Sequence, residues 1–535
     1  MTTRAISLGR RSGIATLLVV SVALSGCATV PSVAARPAAV TIDFETATIA
    51  DLSKMLTSKS VSAVELAAAY VERIESVNTT GPSLRAIQSV VSTWKEQAKA
   101  ADKRRKAGKS LGPLDGIPVI VKDNFDIQGQ ITSAGSLALA DNVATSDAAV
   151  VDRLQAAGAV IVAKATMVEF AFWNGASSWG YSSLGGQPLN PYDASYETSG
   201  SSAGSGIAAA AGLAAITFGS DTGGSVITPS ERMSLVGYRP STGLVSRTGI
   251  VPITTFSDTA GVMGRTVTDV ALGASAIAGI DQADPATLES APYQGQDFAA
   301  KLTDTSLVGA RVGVVEPVDA TQDEVALWDA SVQTLREQGA TVVPIAVQFT
   351  DFPFATTTYE FRENLDAYLA ERTAKDFPIK SVTELADFYR ANAQTTQKYG
   401  AGTLFGAEAV DLEADRANAE ATLASAQSAS HATMDALYSG QDLDVLMFPE
   451  TSTVHLFAPI GGYPEITIPA GYRTADRHPF GVVLVADRWD DASLFSYAYD
   501  LEQGSSPRST PSELNPTMWR CVPGGALIDN RNCLP

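Results

Sequence analysis

Helix-like and strand-like segments alternate along most of this chain. Amphipathic runs are repeatedly followed by short apolar runs rich in β-branched residues and bounded by Gly or Pro. Three such pairs are "AAVVDRLQAAGA" with "VIVAKA", "GIAAAAGLA" with "AITFGS", and "EVALWDASVQTLREQGA" with "TVVPIAV". Alternation of this kind is typical of α/β proteins, in which helices connect the strands of one sheet. The pattern predicts a mixed β-sheet core covered by α-helices on both faces.

The domain organisation follows from the even composition of the chain. The 535 residues, 45% of them hydrophobic, supply enough apolar side chains for a large core. No repeat of fixed period and no low-complexity linker interrupts the sequence between about residue 45 and about residue 510. We therefore predict one large domain over residues 43–510, preceded by a tether at 28–42 and followed by a tail at 511–535.

The charge balance limits the partners of this protein. The formal net charge is -20, from 58 acidic and 38 basic residues, and this opposes binding to DNA, RNA or an anionic membrane face. The basic run "DKRRKAGK" at 102–109 has no interleaved aromatic residues, and its position suits a helix end, where cations complement the helix dipole. We therefore expect no nucleic-acid partner.

The first 27 residues have the parts of an export signal. Arg4, Arg10 and Arg11 precede the apolar run "IATLLVVSVAL", which at 11 residues is too short to span a membrane. "LSGC", ending at Cys27, resembles the lipobox of bacterial lipoproteins, whose cysteine carries the lipid; an ordinary cleaved signal is the alternative. We expect an exported protein of the cell envelope, held at the membrane only through Cys27 or else secreted or periplasmic.

Two further cysteines lie in the C-terminal tail. Cys521 and Cys533 bracket the Gly- and Asn-containing stretch "CVPGGALIDNRNC". Export places them in an oxidising compartment, where disulfides persist. A metal site built from two cysteines without a nearby histidine is the weaker interpretation. We predict a disulfide between Cys521 and Cys533.

A serine-rich segment at 199–230, "SGSSAGSGIAAAAGLAAITFGSDTGGSVITPS", holds seven serines among Gly and small apolar residues. Neither a strand followed by G-x-G-x-x-G nor the pattern G-x-x-x-x-G-K-[ST] occurs there, which argues against a phosphate-binding loop. The backbone N–H groups of Thr222, Gly223, Gly224 and Ser225 follow a strand-like run and are expected to converge on one point. Such a nest is an oxyanion hole, and Ser225 is the candidate nucleophile beside it.

A serine hydroxyl needs a base before it attacks. The chain has only three histidines, His431, His455 and His478; His455 in "TSTVHLFAPIGGYP" is within reach of a cleft but is better explained as a partly buried loop residue. G-x-S-x-G does not surround Ser225, which excludes the nucleophile elbow of the α/β-hydrolases. Lys122, at the end of the strand-like "IPVIVKD", is the candidate base.

These residues lie in sequence blocks that resemble the amidase signature family over nearly all of the folded length. The apolar Ile227 and "IVPITTFSDTAG" look closest to the peptide amidase branch of that family. The resemblance implies a single α/β domain and an enzyme that needs no metal or cofactor. The blocks are "GPLDGIPVIVKDN" (112–124), the serine segment (199–225), "VGYRPSTGLVSRTGIVPI" (236–253), "DTAGVMGRTVTD" (258–269), "GGYPEITIPAG" (461–471) and "AYDLEQGSSPR" (498–508).

The resemblance also implies the site residues and the reaction. Ser225 corresponds to the nucleophile, Ser201 to a bridging serine, and Lys122 to the base, with a cis peptide bond between Gly200 and Ser201. The implied reaction is hydrolysis of a carboxylic amide through an acyl-enzyme, on a small-molecule or short peptide amide. For this role burial must lower the pKa of Lys122 from about 10.4 by roughly three units.

The chain departs from the family pattern in the serine block and near Thr166. "SGSSAG" stands for the usual "GGSSGG", which places Ser199 and Ala203 where glycines are common. Ile227 stands two residues after Ser225, where many members have arginine, and Thr166 lies in a block without the Asn often found before its Glu169. The small replacements in the serine block are expected to be tolerated.

Substrate choice and two other functions stay open at the level of sequence. Phe170, Phe172, Trp173 and the segment around "YEFRENLDAYLAER" are expected either to line the pocket or to belong to the core. The alternatives to an amidase are a catalytically inactive relative and a lipid-anchored protein that binds small molecules. Neither needs a nucleophile, so the presence of Lys122 and both serines favours the enzyme.

Overall fold

The computed structural model describes residues 42–175, 178–347, 352–449, 453–505 and 508–519. The predicted signal, almost all of the tether, the lipid site at Cys27 and the cysteine pair Cys521 and Cys533 lie outside the described residues and stay predictions. Within the described part of the chain, no helix is both long enough and apolar enough to cross a membrane.

The described strands form one mixed sheet. They are β1 (Ile87–Val90), β2 (Pro118–Lys122), β3 (Val160–Ala165), β4 (Ile216–Asp221), β5 (Val236–Arg239), β6 (Thr259–Gly264), β7 (Arg311–Val315), β8 (Thr341–Ile345), β9 (Val445–Pro449), β10 (Glu465–Tyr472) and β11 (Pro479–Val485).

The spatial order of the strands is β1-β3-β2-β4-β6-β5-β10-β11-β9-β7-β8. Strand β2 runs parallel to β3 and to β4, and β7 runs parallel to β8 and to β9. The remaining neighbours are antiparallel. A sheet of both directions confirms the predicted mixed core.

The helices of the described residues connect and cover the strands. They are α1 (Ile49–Thr57), α2 (Ala63–Asn78), α3 (Trp94–Lys106), α4 (Ala149–Ala156), α5 (Ala203–Ala210), α6 (Ile227–Glu231), α7 (Val267–Ile277), α8 (Ala286–Glu289), α9 (Gln322–Glu337), α10 (Phe354–Arg372), α11 (Val382–Ala391), α12 (Ala393–Thr396), α13 (Gly402–Glu408), α14 (Arg416–Gln441), α15 (Val454–Gly461), α16 (Asp491–Gly504) and α17 (Pro511–Leu514). Four short 3-10 turns lie at Leu137–Leu139, Glu169–Phe172, Ala291–Tyr293 and Ala299–Lys301.

Burial along the central strands shows that both faces of the sheet are covered. Every residue of β2, β3, β6, β9 and β11 is buried, whichever face its side chain occupies. Successive side chains in a strand point to opposite faces, so complete burial requires helices or loops on both. The three helix–strand pairs read from the sequence are α4 with β3, α5 with β4, and α9 with β8. The predicted single α/β domain is therefore confirmed.

Candidate active site

Lys122 is the last residue of β2, and its side chain is fully buried. Its Nζ lies 2.7 Å from Ser201 Oγ, 2.9 Å from Ser220 Oγ and 3.3 Å from the Ser220 carbonyl oxygen. Among the described residues, no carboxylate comes within 4.0 Å of this amine to hold a positive charge. Burial therefore lowers the pKa of Lys122 to about 7, although Asp221 and Asp258 oppose the shift.

A second buried lysine, Lys164 on the neighbouring strand β3, shows what an ion-paired amine looks like in the same core. Its Nζ lies 3.3 Å from Asp123 Oδ1 and donates to the carbonyl of Ile131 at 2.6 Å and to Thr132 Oγ1 at 3.0 Å. Burial lowers the pKa of Lys164 as well, but the carboxylates of Asp123 and Asp126 oppose that shift. Lys122 has hydroxyl partners instead, which suits an amine that exchanges a proton with an alcohol.

Ser201 stands two residues before the start of α5 and is fully buried. The peptide bond from Gly200 to Ser201 is cis, as the family resemblance implies. Gly200 has no room for a side chain, because a Cβ there would lie 2.6 Å from Val168 Cγ2 and 3.2 Å from Phe172 Cζ. Close packing of Val168 and Phe172 against Gly200 thus holds the Ser201 hydroxyl beside the Lys122 amine.

Ser225 lies in the short connection between β4 and α6 and is 8% exposed. Its carbonyl oxygen accepts a hydrogen bond from the Ser202 amide at 3.2 Å, which joins the two serine segments. Its hydroxyl makes no hydrogen bond to another described residue, so the link from Ser225 Oγ to Ser201 Oγ is open in this structure. The hydroxyl, which has no hydrogen bond to another described residue, is available to a bound substrate.

The backbone around Ser225 is held by Asp221, the last residue of β4. The two oxygens of this buried carboxylate accept hydrogen bonds from the Gly224 amide at 2.8 Å and from the Val226 amide at 2.6 Å. Both amides that flank Ser225 therefore bind one side chain. Sequence reasoning did not identify Asp221 as part of the site, although its position four residues before the candidate nucleophile Ser225 was visible.

This arrangement corrects the predicted oxyanion hole. We expected the amides of Thr222, Gly223, Gly224 and Ser225 to converge, but the Gly224 amide is taken by Asp221. The amides of Thr222, Gly223 and Ser225 make no hydrogen bond to other described residues and remain available to an oxyanion. A carboxylate one turn away competes for N–H groups in a tight loop, and residue types alone do not show which amide it captures.

Thr222 is positioned by a second buried carboxylate. Its hydroxyl donates to Asp258 Oδ1 at 2.6 Å, and Asp258 Oδ2 also accepts from the amides of Ile253 at 2.7 Å and Thr254 at 3.0 Å. Burial raises the pKa of Asp258 in spite of these bonds. The block "DTAGVMG" thus contributes to the site by fixing the start of the loop 222–226, which carries the candidate nucleophile Ser225 and is called the nucleophile loop.

A buried ionic group lies behind Asp221. Arg239 Nη1 is 3.9 Å from Asp221 Oδ1, and Arg239 stands opposite Glu465 in the antiparallel register of β5 and β10. Both oxygens of the Glu465 carboxyl are buried without a hydrogen-bond partner among the described residues, and burial raises its pKa to about 8. Burial also raises the pKa of Glu231 well above its usual value. Glu465 and Glu231 are therefore two buried carboxyl groups near Asp221 whose charge depends on pH.

Replacement of Glu465 by glutamine is expected to stabilise the fold at pH 8. The pKa of Glu465 is higher in the folded chain than in the unfolded chain. Above the unfolded pKa, folding therefore costs free energy, because the carboxylate must either take up a proton or stay ionised in a buried site. Stability contributed by the neutral carboxyl is present at low pH and declines from about pH 4.5 to about pH 8. Urea unfolding should show the Glu465→Gln variant more stable by about 4 kcal/mol at pH 8 and by less than about 1 kcal/mol at pH 5.

The exposed Glu371→Gln serves as the matched control for this prediction, because its side chain lies on the solvent face of α10. It is expected to change the free energy of unfolding by less than about 0.5 kcal/mol at both pH values. An equal effect of Glu465→Gln at pH 5 and pH 8 would contradict the proposed cost of ionising this carboxyl.

The residues at sequence departures have structural roles. Ile227 is fully buried in an apolar cluster with Phe448 and Val483, so its position needs no charge. The Thr166 hydroxyl donates to the carbonyls of Arg85 at 2.9 Å and Ala86 at 3.1 Å, which ties β3 to the start of β1. Thr166 therefore belongs to the scaffold.

The three aromatic residues expected to line the pocket or to belong to the core have different surroundings. Phe170 packs in the core beside α10 and lines a cavity of about 240 Å³ that also borders Asn124, Ser220 and Thr222. Phe172 packs against Gly200. Trp173 joins an apolar cluster that includes Phe352 and stacks on Phe354 of α10 at 6.5 Å.

No group of three or more His, Cys, Asp or Glu side chains that would suit a metal ion occurs among residues 42–519 outside the gaps noted above. The site instead offers an amine, several hydroxyls and free amides.

The comparisons with known proteins agree with this arrangement. The family model for amidases matches residues 65–495, and the chain belongs to this family, the amidase signature enzymes. It is an amidase, an enzyme that hydrolyses amides. A probable amidase of Arabidopsis thaliana is 32% identical over 487 residues, which cover 88% of this chain and 92% of the relative.

Within the family, the solved structures point to one branch. A native peptide amidase from Stenotrophomonas maltophilia is 33% identical, with a TM-score of 0.83 over 88% of this chain and 99% of the other. A peptide amidase in complex with the competitive inhibitor chymostatin is 32% identical, with a TM-score of 0.83 over 88% of this chain and 100% of the other. The chain is consistent with the peptide amidase branch.

Proposed function

We propose that this amidase hydrolyses the C-terminal amide of short peptides, with Ser225 as nucleophile, Ser201 as proton relay and Lys122 as base. The observation that carries the proposal is the fully buried Lys122 amine, which lies 2.7 Å from Ser201 Oγ without a carboxylate partner in the described part of the chain. A lysine with a pKa of about 7 is neutral in half of the molecules at that pH and accepts a proton.

We infer the first half of the reaction from the contact between Lys122 and Ser201 and from the neighbouring Ser225 loop, which bonds the Ser202 amide. Ser225 Oγ attacks the carbonyl carbon of the amide while its proton passes to Ser201 Oγ, and Ser201 gives its own proton to Lys122 Nζ. The carbonyl oxygen becomes an oxyanion, and the free amides of Thr222, Gly223 and Ser225 are the candidate donors that stabilise it. The proton then returns along the same chain to the amide nitrogen, the C–N bond breaks, and ammonia leaves an ester on Ser225.

The second half restores the enzyme. A water molecule attacks the ester carbonyl and loses a proton to the relay of Ser201 and Lys122. The second tetrahedral intermediate collapses with cleavage of the bond to Ser225 Oγ, which takes the proton back. The products are a carboxylic acid and ammonia, and no atom of the chain is consumed.

The peptide amidases among the similar structures support a peptide amide as the substrate, since one of them binds the competitive inhibitor chymostatin. The described surroundings of the nucleophile loop are compatible with apolar side chains. A Cβ at Gly223 would lie 3.3 Å from Leu456 Cδ2 and 3.6 Å from Phe352 Cε2, so apolar groups approach the loop closely.

A panel of primary amides tests the proposal directly. Purified protein is supplied with N-acetylated dipeptide amides, an aryl amide and a long-chain acyl amide, and released ammonia is measured. We expect kcat/KM to be at least about 10-fold higher for the peptide amides than for the other two classes. Faster hydrolysis of the aryl or acyl amide would overturn the peptide assignment.

The same panel separates the amidase from a binding protein on this scaffold. An inactive relative or a lipid-anchored binding protein would release no ammonia from any amide while still changing its thermal stability on ligand addition. Turnover of any member of the panel excludes both alternatives.

A further inference from the structure

His455, in the first turn of α15, lies against the nucleophile loop. Gly224 has a φ of +93°, and a Cβ at this position would lie 2.6 Å from His455 Cδ2 and 3.0 Å from His455 Cγ. The His455 carbonyl oxygen would be 3.5 Å from a Cβ at Gly223. The imidazole therefore covers the residue directly before Ser225, and glycine is required beneath it.

The hydrogen-bonding capacity of this imidazole is unused. The side chain is partly exposed, and neither ring nitrogen bonds another described residue. His431 and His478 differ, because His431 Nε2 lies 3.1 Å from the Gly461 carbonyl and His478 contacts Asp193 and Arg473. His455 thus has no structural hydrogen bond that would explain its presence at the site.

The charge state of His455 fits recognition of a neutral polar group. Burial lowers the pKa of His455 to about 4, with a smaller contribution from Arg232 and an opposing one from Asp221. At neutral pH the ring is uncharged and offers one N–H donor and one nitrogen acceptor. The next residue, Leu456, and Phe352 are apolar, so the imidazole is a polar group on a largely apolar wall.

The leaving group of a primary amide determines which part of the substrate can contact His455, Leu456 and Phe352. The leaving group is ammonia, which carries no further atoms, so every other substrate group belongs to the acyl side. In a peptide amide, the acyl side next to the reacting carbonyl carries a main-chain N–H and the preceding carbonyl. A simple acyl amide has neither group.

Resting on the proposed function, we propose that His455 is a specificity-determining residue whose ring hydrogen-bonds the peptide main chain of the substrate next to the scissile amide. The side chain selects peptide amides over simple acyl amides. It takes no part in proton transfer, which belongs to Lys122 and Ser201.

The test compares N-acetylphenylalanine amide with 3-phenylpropanamide, which keeps the phenyl ring and the amide but lacks the acetylamino group. In His455→Phe, the ring is retained and its nitrogens are lost. We expect kcat/KM for the peptide amide to fall by about 10-fold, as for one neutral hydrogen bond, and that for 3-phenylpropanamide to change by less than about 2-fold. His455→Asn, which retains a donor and an acceptor, is expected to recover part of the selectivity.

Each other outcome of this comparison has a definite meaning. Equal losses on both substrates would assign His455 to the support of the nucleophile loop, and unchanged kinetics on both would remove it from the site; either result overturns the inference. Failure of the proposed function gives a different result, since the wild-type protein would then release no ammonia from either substrate.

Discussion

Ser225→Ala is expected to lower kcat/KM for amide hydrolysis by at least about 10⁴-fold, to the limit of detection. Removal of the hydroxyl leaves no atom to form the acyl-enzyme, whereas the free amides of Thr222 and Gly223 and the buried Lys122 stay in place. The fold is expected to be unaffected, because the Ser225 hydroxyl makes no hydrogen bond to another described residue. Ammonia release under saturating and limiting substrate measures the effect.

Covalent labelling gives an independent readout of the same residue. A serine-directed fluorophosphonate should label the wild-type protein once per chain and should not label Ser225→Ala. Ser205→Ala is the matched control from the same serine-rich segment, since its hydroxyl is buried and donates to the Phe218 carbonyl at 3.3 Å. Labelling of Ser225→Ala, or more than a tenth of wild-type activity in it, would assign the nucleophile elsewhere.

Lys122→Met is expected to lower kcat/KM by at least about 10³-fold. Methionine is unbranched and apolar, so it fills the buried space while removing the only amine that contacts Ser201 in the described structure. Without it, Ser201 has no acceptor for the proton that leaves Ser225. Circular dichroism and thermal unfolding establish that the variant is folded before its ammonia release is measured.

Lys122→Arg separates a neutral base from a fixed positive charge. Arginine keeps its proton at any pH of the assay, so this variant should be about as inactive as Lys122→Met. More than a tenth of wild-type activity in Lys122→Arg would show that the site uses a cation and would refute the relay.

The pH profile of the wild-type enzyme follows from the same group. Lys122 accepts a proton only when it is neutral, so kcat/KM is expected to rise with pH up to about 7 and to level off above that value. A rise that continues to pH 10 would indicate an ordinary, solvated lysine. The residual activity of Lys122→Met is expected to lack the inflection near pH 7.

The sequence was sufficient for the scaffold and for naming candidate site residues, whose roles stay predictions, because both depend on local patterns. Lys122 ends a short β-branched strand, and Ser201 and Ser225 stand in a segment whose glycines and serines are unusual for buried structure. The alternation of helical and strand-like runs identified the α/β class. The resemblance to the amidase signature family then implied catalytic roles for Lys122, Ser201 and Ser225, which their spacing alone did not define.

Features that depend on long-range packing were not predictable in the same way. The capture of the Gly224 amide by Asp221 depends on side-chain orientation in a tight loop, and the facing of Arg239 and Glu465 depends on strand register. The sequence around His455 predicts only a partly buried loop residue, since its approach to Gly224 joins parts of the chain about 230 residues apart. No local pattern contains such a contact.

The order of the strands has a consequence for how this enzyme changes over evolution. Lys122 ends β2 and Asp221 ends β4, and these strands are adjacent and parallel, so backbone hydrogen bonds set the spacing of the two residues. The candidate nucleophile Ser225 follows four residues after Asp221. Asn364 of α10 lines the cavity that borders Thr222, and Leu456 of α15 lies close to Gly223; both helices are far downstream in the chain. Mutations in these later segments can therefore change substrate preference in small steps without altering the strands that position Lys122 and Asp221. A laboratory library aimed at new amides has its best starting positions in α10 and α15.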